Sequence, residues 1–427
     1  MCLRQHLPAE ARLGVALSGG RDSVVLLHLA QTLLPAGHVH ALHIHHGLSP
    51  QADAWRDFCR SLCARWKIPL AQQAVEVDSK GEGVEAAARI ARYRALRELC
   101  RENGLLYLAL AHHRRDQAET LLLNLCRGAG VAGAAAMPLC RVMDNLTLLR
   151  PLLGCGFAEM TAYAADHRLR WIEDESNADT RFRRNFLRHR ILPPLRQIFP
   201  AVETTLARAA GHFAEAGVLL AELAAEDDAR IQDQLAPFRC LSPARQSNWL
   251  RYRLHRLGWQ APEADRLAEA LRQLTEGAHD TQFELRLPEG RLRLWRARFY
   301  WQPHALETAP PEACRWSGAE ALPWAGGSLS LLKRQGAGLD PTRIAGKMLE
   351  VRPRQGGERL RPGPGSGSRP LKKLLQEAPD CPPWLRARLP LIYCDDTLIA
   401  CPGIALAADW CCAPEAEGLW PEWRRPS

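Results

Sequence analysis

Between Leu13 and Ala30 the chain reads LGVALSGGRDSVVLLHLA. A short apolar run, a Ser-Gly-Gly-Arg-Asp-Ser turn and an amphipathic helical run follow one another without a break. This order constrains the fold and the chemistry together. Gly19 and Gly20 carry no Cβ, so backbone N–H groups there can approach phosphate oxygens, and the helix that begins next adds a partial positive charge. Ser18 and Ser23 add hydroxyls, Arg21 adds a cation, and Asp22 adds a carboxylate suited to magnesium or to a ligand hydroxyl. A glycine pair before a helix is by itself only a tight turn with a polar N-cap. The complete hexapeptide behind a strand points instead to a phosphate site made of Ser18, Gly19, Gly20, Arg21, Asp22 and Ser23. No Gly-Lys-Ser/Thr ends the loop and no G-x-G-x-x-G is present, so neither the Walker A nor the dinucleotide fingerprint applies.

The next hundred residues alternate strand-like and helical runs: HVHALHIHH, a helix over 53–67, LAQQAVEV, a helix over 84–103, LLYLALAHH, and a helix over 116–126. That alternation predicts an α/β fold with a parallel sheet. Ligands in such sheets lie outside the strands' carboxyl ends, where SGGRDS, HIHHGL and AHHRRDQAET all fall. The expected organisation is a catalytic ATP-binding domain over 1–200, a connector helix over 201–234, a mainly helical middle domain over 235–302 containing a hairpin, a Pro/Ala/Glu-rich linker over 303–327, and a smaller α+β domain over 328–427.

Further candidates come from charge at strand ends. Asp116 and Glu119 are spaced i,i+3 on one helical face, and such a pair beside phosphates suits magnesium. His113 precedes them. Arg89 and Arg92 lie on the 84–103 helix, where a Glu85–Arg89 surface pair is the ordinary alternative. The histidines of HIHHGL lack a carboxylate at ligand spacing, which argues against a metal centre. From Arg181 to Arg196 there are six arginines and no acid. Arg184, Asn185 and Arg188 fall on nearby helical positions and suit a phosphate together with a polar base edge. Residues 341–373 hold nine Lys or Arg against two Glu, Arg359, Arg361, Lys372 and Lys373 among them. Such a stripe suits an RNA backbone.

Lys and Arg outnumber Asp and Glu by 56 to 47, a net charge of +9, which agrees with an acidic partner but does not identify one. The 14 cysteines contain no CxxC pair, which excludes a zinc ribbon and leaves reduced thiols as the expectation. No apolar leader and no membrane-length apolar run is present, so a cytoplasmic chain with no membrane partner is expected.

The SGGRDS loop resembles that of the PP-loop ATP-pyrophosphatases, which implies that Ser18, Gly19, Gly20, Arg21, Asp22 and Ser23 bind ATP. Taken with HIHHGL, EAAARIARY, AHHRRDQAET, RGAGVAG, Arg150-Pro151-Leu152, EDESNADTRFRRNFLRHRILP and the C-terminal VRPRQGGERLRP and LKKLLQE blocks, the chain resembles the bacterial tRNA(Ile)-lysidine synthase family. The likeness covers nearly the whole chain and is firmest over 13–196. It implies a PP-loop catalytic domain, ATP and Mg2+, and two partners, free L-lysine and an isoleucine tRNA with a CAU anticodon. The implied reaction adenylates the wobble cytidine at C2 and replaces the adenylate by the lysine ε-amine. Asp22, Arg89, Asp116 and Arg184 are the implied catalytic residues, with Asp22 and Asp116 toward magnesium. His113, Glu119, Asn185, Arg188, Arg359, Arg361, Lys372 and Lys373 are left for substrate and tRNA. Many family members carry Asp directly before the position of Asp116, where this chain has Arg115, and Ala134 stands in place of a leucine. Two alternatives remain open at this point: a PP-loop tRNA thiolase, with Cys126 and Cys140 as candidates by type alone, and a non-catalytic tRNA-binding protein. A homodimer is also left open.

Overall fold

The computed structural model describes residues 5–8, 10–45, 47, 51–75, 84–173, 175, 179–277, 283–304, 311–363, 365–379 and 381–424, with the backbone alone over 84–86. The chain divides into two compact units, Met1–Glu222 and Leu223–Ser427.

In the first unit the strands are β1 (Leu13–Ala16), β2 (Val39–His45), β3 (Leu70–Ala74), β4 (Tyr107–Ala109), β5 (Cys140–Met143) and β6 (Leu146–Leu149). The helices between them are α1 (Arg21–Leu33), α2 (Ala52–Trp66), α3 (Val84–Glu102) and α4 (Arg114–Leu125). The sheet order is β3-β2-β1-β4-β6-β5. All neighbours run parallel except β5, which pairs antiparallel with β6. That edge hairpin was not expected from the sequence. Its turn, Asp144-Asn145, places Asp144 at φ +53°, a conformation Asp tolerates better than most residues.

Strand alternation explains why helices cover both faces. Leu13, Val15, Val39, Ala41, Ala109 and Leu149 enter one core with α1 and α2. Leu42, Ile44, Leu108, Leu110, Leu146 and Leu148 enter the other with Ala95, Leu96 and Leu99 of α3. Residues one apart on a strand face opposite ways, so both faces must be apolar. The chain leaves β1 toward β2 and β3, then returns to β4 on the other side of β1. The topological switch therefore lies between β1 and β4, with a crevice at their carboxyl ends.

Helix α5 (Phe157–Asp166) packs on the first core through Met160 and Ala164. A short helix over Arg183–Phe186 runs into a π-turn over Leu187–Ile191, and α6 (Val202–Ile231) is the long helix expected from the sequence.

In the second unit, Trp249, Leu250 and Leu254 from the helix Pro243–Arg256 and Leu267 and Leu274 from Ala264–Glu276 pack against a three-stranded sheet, β7 (Phe283–Arg286), β8 (Gly290–Trp295) and β9 (Arg298–Pro303). The expected hairpin thus gains a third strand. Cys314–Trp316 and Leu322–Trp324, within the stretch read as a linker, form strands of two sheets over 314–424. Among the described residues no helix is long and apolar enough to cross a membrane.

Candidate functional site

Loop 17–20 leaves β1 and enters α1 with Gly20 as N-cap. Gly19 adopts φ +89°, and a Cβ there would lie 2.9 Å from Ile172 Cδ1. Its carbonyl accepts from Ile172 N–H at 2.9 Å. A side chain at this position would meet both conformational strain and a steric clash. The loop is tied by its own hydroxyls. Ser23 Oγ donates to Gly20 O at 2.8 Å, lies 3.1 Å from Ser18 Oγ and accepts from Ser18 N–H at 3.2 Å.

Asp22 opens the first turn of α1. Arg21 Nε and Nη2 donate to its Oδ1 at 2.9 and 2.6 Å, while Oδ2 lies 3.4 Å from His113 Nε2. Burial works against its charge, but His113 and Arg21 outweigh it and hold the carboxyl below its ordinary value.

Across the crevice, β4 ends and α4 begins in a capping box. His113 Nδ1 accepts from Arg115 N–H at 3.2 Å, and Asp116 Oδ2 accepts from His113 N–H at 2.9 Å. Because Nδ1 accepts, the neutral imidazole carries its proton on Nε2. That atom is 3.5 Å from Asp116 Oδ2 as well. Asp22 and Asp116 therefore converge on one point beside the loop. Two hard oxygen donors that leave the remaining positions to phosphate oxygens and water suit magnesium. Among the described residues no cluster of three or more metal-ligating side chains exists.

Asp116 and Glu119 share a face, as their spacing predicts. Arg184 Nη2 and Arg188 Nη2 reach Asp116 Oδ1 at 2.9 and 3.3 Å. Arg184 Nε donates to Glu119 Oε2 at 2.8 Å, and Arg188 Nε to Glu119 Oε1 at 2.7 Å. Glu119 is fully buried. Burial raises the Asp116 carboxyl, and the neighbouring His113 and Arg184 side chains bring it below its ordinary value. Asn185 donates to Asp179 O at 3.0 Å and holds the preceding loop.

Several placements differ from simple expectation. Arg89 is exposed and sits 5.6 Å over the Tyr93 ring. The charge of Arg89 acts on Arg150, while Arg92, also exposed, with Arg150 and Arg184 disfavours protonation of His112. Burial is the larger cause, and together they push His112 down to about 3. Its Nδ1 and Arg150 Nε are buried without a hydrogen-bond partner among the described residues. His112 and Arg150 were not singled out from the sequence as site residues, although both lie in quoted motifs at strand carboxyl ends. Arg115 turns away from the crevice, donating to Glu203 Oε1 at 3.0 Å, with its guanidinium 3.9 Å from the Phe157 ring centre. The Arg21 guanidinium lies equally close to Phe157 and donates to Thr161 Oγ1 at 2.9 Å. Of HIHHGL, His43 is buried with Nδ1 2.9 Å from Leu17 O, and His46 and Leu48 lie outside the described residues.

In the second unit Lys372 and Lys373 are exposed on the first turn of the helix Leu371–Glu377. Arg359 and Arg361, also exposed, donate to Ser368 Oγ at 3.2 Å and Ser366 O at 3.0 Å.

Comparison with known proteins follows the same division. Residues 3–195 match a PP-loop domain, 234–300 a TilS substrate binding domain, and 349–423 a TilS substrate C-terminal domain. The chain is 39% identical over 433 residues to the tRNA(Ile)-lysidine synthase of Nitrosomonas europaea, covering 99% of this chain and 93% of that protein. It is 41% identical over 440 residues to that of Aromatoleum aromaticum, covering 100% of both. It is 42% identical over 439 residues to that of Chromobacterium violaceum, covering 99% and 98%.

Proposed function

The chain belongs to the tRNA(Ile)-lysidine synthase family, and from that premise we propose which groups of this site act, and on what. It is an ATP-dependent, tRNA-modifying ligase with a PP-loop domain. The substrates are ATP, free lysine and an isoleucine tRNA bearing a CAU anticodon. The adenylyl group of ATP passes to the C2 oxygen of the wobble cytidine, with its α-phosphorus bonding that oxygen as the bond to pyrophosphate breaks. The lysine ε-amine then attacks C2, and AMP departs with that oxygen.

The observation that carries this reading is the convergence of Asp22, across the switch point, with Asp116 beside the glycine loop. Backbone N–H groups of 18–20 and the α1 N-terminus suit the leaving pyrophosphate. Asp22 and Asp116 would hold magnesium, which would supply positive charge against the phosphates. His113 holds both carboxylates in register. Arg184 is steered by Asp116 and Glu119 and presents its remaining N–H edge to the adenylate. His112 stays neutral near pH 7, so its unpartnered Nδ1 and the Arg150 guanidinium offer an acceptor and a donor to a bound nucleotide. A cytidine from a single-stranded loop leaves its stack at little cost.

ATP–pyrophosphate exchange tests the adenylation half. Exchange should appear only when the tRNA is present, and exchange with ATP alone would contradict an RNA base as the acceptor. The middle and C-terminal domains carry the tRNA. Replacing Arg359, Arg361, Lys372 and Lys373 by Ala should weaken tRNA binding and lower the slope of log K against log salt by about one for each phosphate no longer neutralised. Titrations across a salt series measure this, and an unchanged slope removes these residues from the interface.

A further inference from the structure

The arginine-rich segment over 181–191 has two faces, and only the inner one is used by the site described above. Arg184 and Arg188 point inward to Asp116 and Glu119, with Asn185 and Leu187 also half-buried. Exposed on the other side are Arg181, Phe182, Arg183, Phe186, His189 and Arg190. Phe182 is 38% and Phe186 45% exposed. Phe182 is the extended N-cap of the helix Arg183–Phe186, and the Phe186 N–H donates to its carbonyl at 2.9 Å, so the two exposed residues bracket a single turn. No acidic side chain occurs between 181 and 191.

A lone exposed phenylalanine needs no explanation. Two at one-turn spacing, interleaved with cations and anchored from behind by four ion pairs, are different. Flat apolar rings among guanidiniums suit unstacked bases joined by phosphates, because every base offers a π-face and every linkage an anion. A helix is about 10–12 Å across, so this face lies one helix width from the carboxylates that the inner arginines hold.

We infer that Phe182 and Phe186 form a stacking platform for unpaired bases of the substrate RNA loop, with Arg183 and Arg190 on the flanking phosphates. This rests on the reading of the chain as a tRNA-modifying enzyme and names a contact for that RNA. The platform takes bases that neighbour the reacting one, whichever their identity, and so adds affinity and holds the loop open without reading sequence.

The test uses the full-length protein and an anticodon stem-loop RNA. Phe182→Ala and Phe186→Ala should each weaken binding about tenfold, the order of one base–aromatic stack removed, and leave the salt slope unchanged. Arg183→Ala and Arg190→Ala should instead lower the slope by about one each. Phe182→Trp and Phe186→Trp should retain affinity and show fluorescence quenching on RNA addition. These two variants keep the test decisive if an alanine variant fails to fold. Unchanged affinity in the alanine variants overturns the platform, as does equal loss for a fully paired duplex. A shift from dimer to monomer in sedimentation, with RNA affinity preserved, also overturns it and makes the face a contact between copies. Wild-type protein that binds the loop by these criteria but forms no lysidine contradicts the functional reading, not the platform.

Discussion

Asp22→Ala should lower tRNA-dependent ATP–pyrophosphate exchange about a thousandfold, the order expected when a preorganised group that stabilises transition-state charge is removed. It should leave the tRNA dissociation constant within a few-fold of wild type. The separation follows from where Asp22 sits. Among the described residues its oxygens bond Arg21 and approach His113. Arg21 keeps Thr161 and Phe157 when the carboxylate is removed, and His113 keeps its capping bonds to α4. The side chain is half-exposed, so truncation creates no large cavity. Among the described residues the loop hydroxyls bond one another and Gly20, not Asp22. A large loss of tRNA binding in this variant would mean that Asp22 holds RNA instead of the nucleotide.

Glu119→Ala should act on stability. Glu119 is fully buried and receives Arg184 Nε, Arg188 Nε and Arg188 Nη2 at 2.8, 2.7 and 2.9 Å. Without it two guanidiniums share Asp116 alone. Breaking a buried ion pair by removing one partner costs about 3–5 kcal/mol, mainly because the remaining charges stay buried without compensation. Glu119→Gln retains the shape and one acceptor and should cost less. Chemical denaturation of the three proteins measures the order. A cost below about 1 kcal/mol for Glu119→Ala would place the cluster with exposed surface pairs, which contribute little.

The sequence was legible where period and glycine chemistry are strong. The βα alternation, the long helix and the convergence of SGGRDS with AHHRRDQAET all stand in the structure, because a parallel sheet puts successive loops at one edge whatever the side chains are. The hairpin β5–β6 was hidden, since its strands are four residues each and too short for a period. The strands at Cys314–Trp316 and Leu322–Trp324 were obscured by flanking Pro, Ala and Glu. Spacing placed Asp116 and Glu119 on one face but could not say that two arginines sixty-five and more residues later would close on them. Helical position alone could not say that Arg89 would act on Arg150 and Arg92 on His112, because that depends on how α3 rotates against the sheet. Arg115 shows the same limit: its departure from the family was visible, but not that Glu203 and Phe157 would draw it out of the crevice.

The central claim is that this crevice joins lysine to a tRNA base through an adenylate. Incubation with ATP, lysine and the CAU-anticodon isoleucine tRNA transcript, followed by nucleoside mass analysis, tests it most directly. The account predicts one cytidine whose mass rises by one lysine less one water, only when lysine and ATP are both present. A gain of sulfur in place of oxygen, or an unmodified cytidine under those conditions, would contradict it.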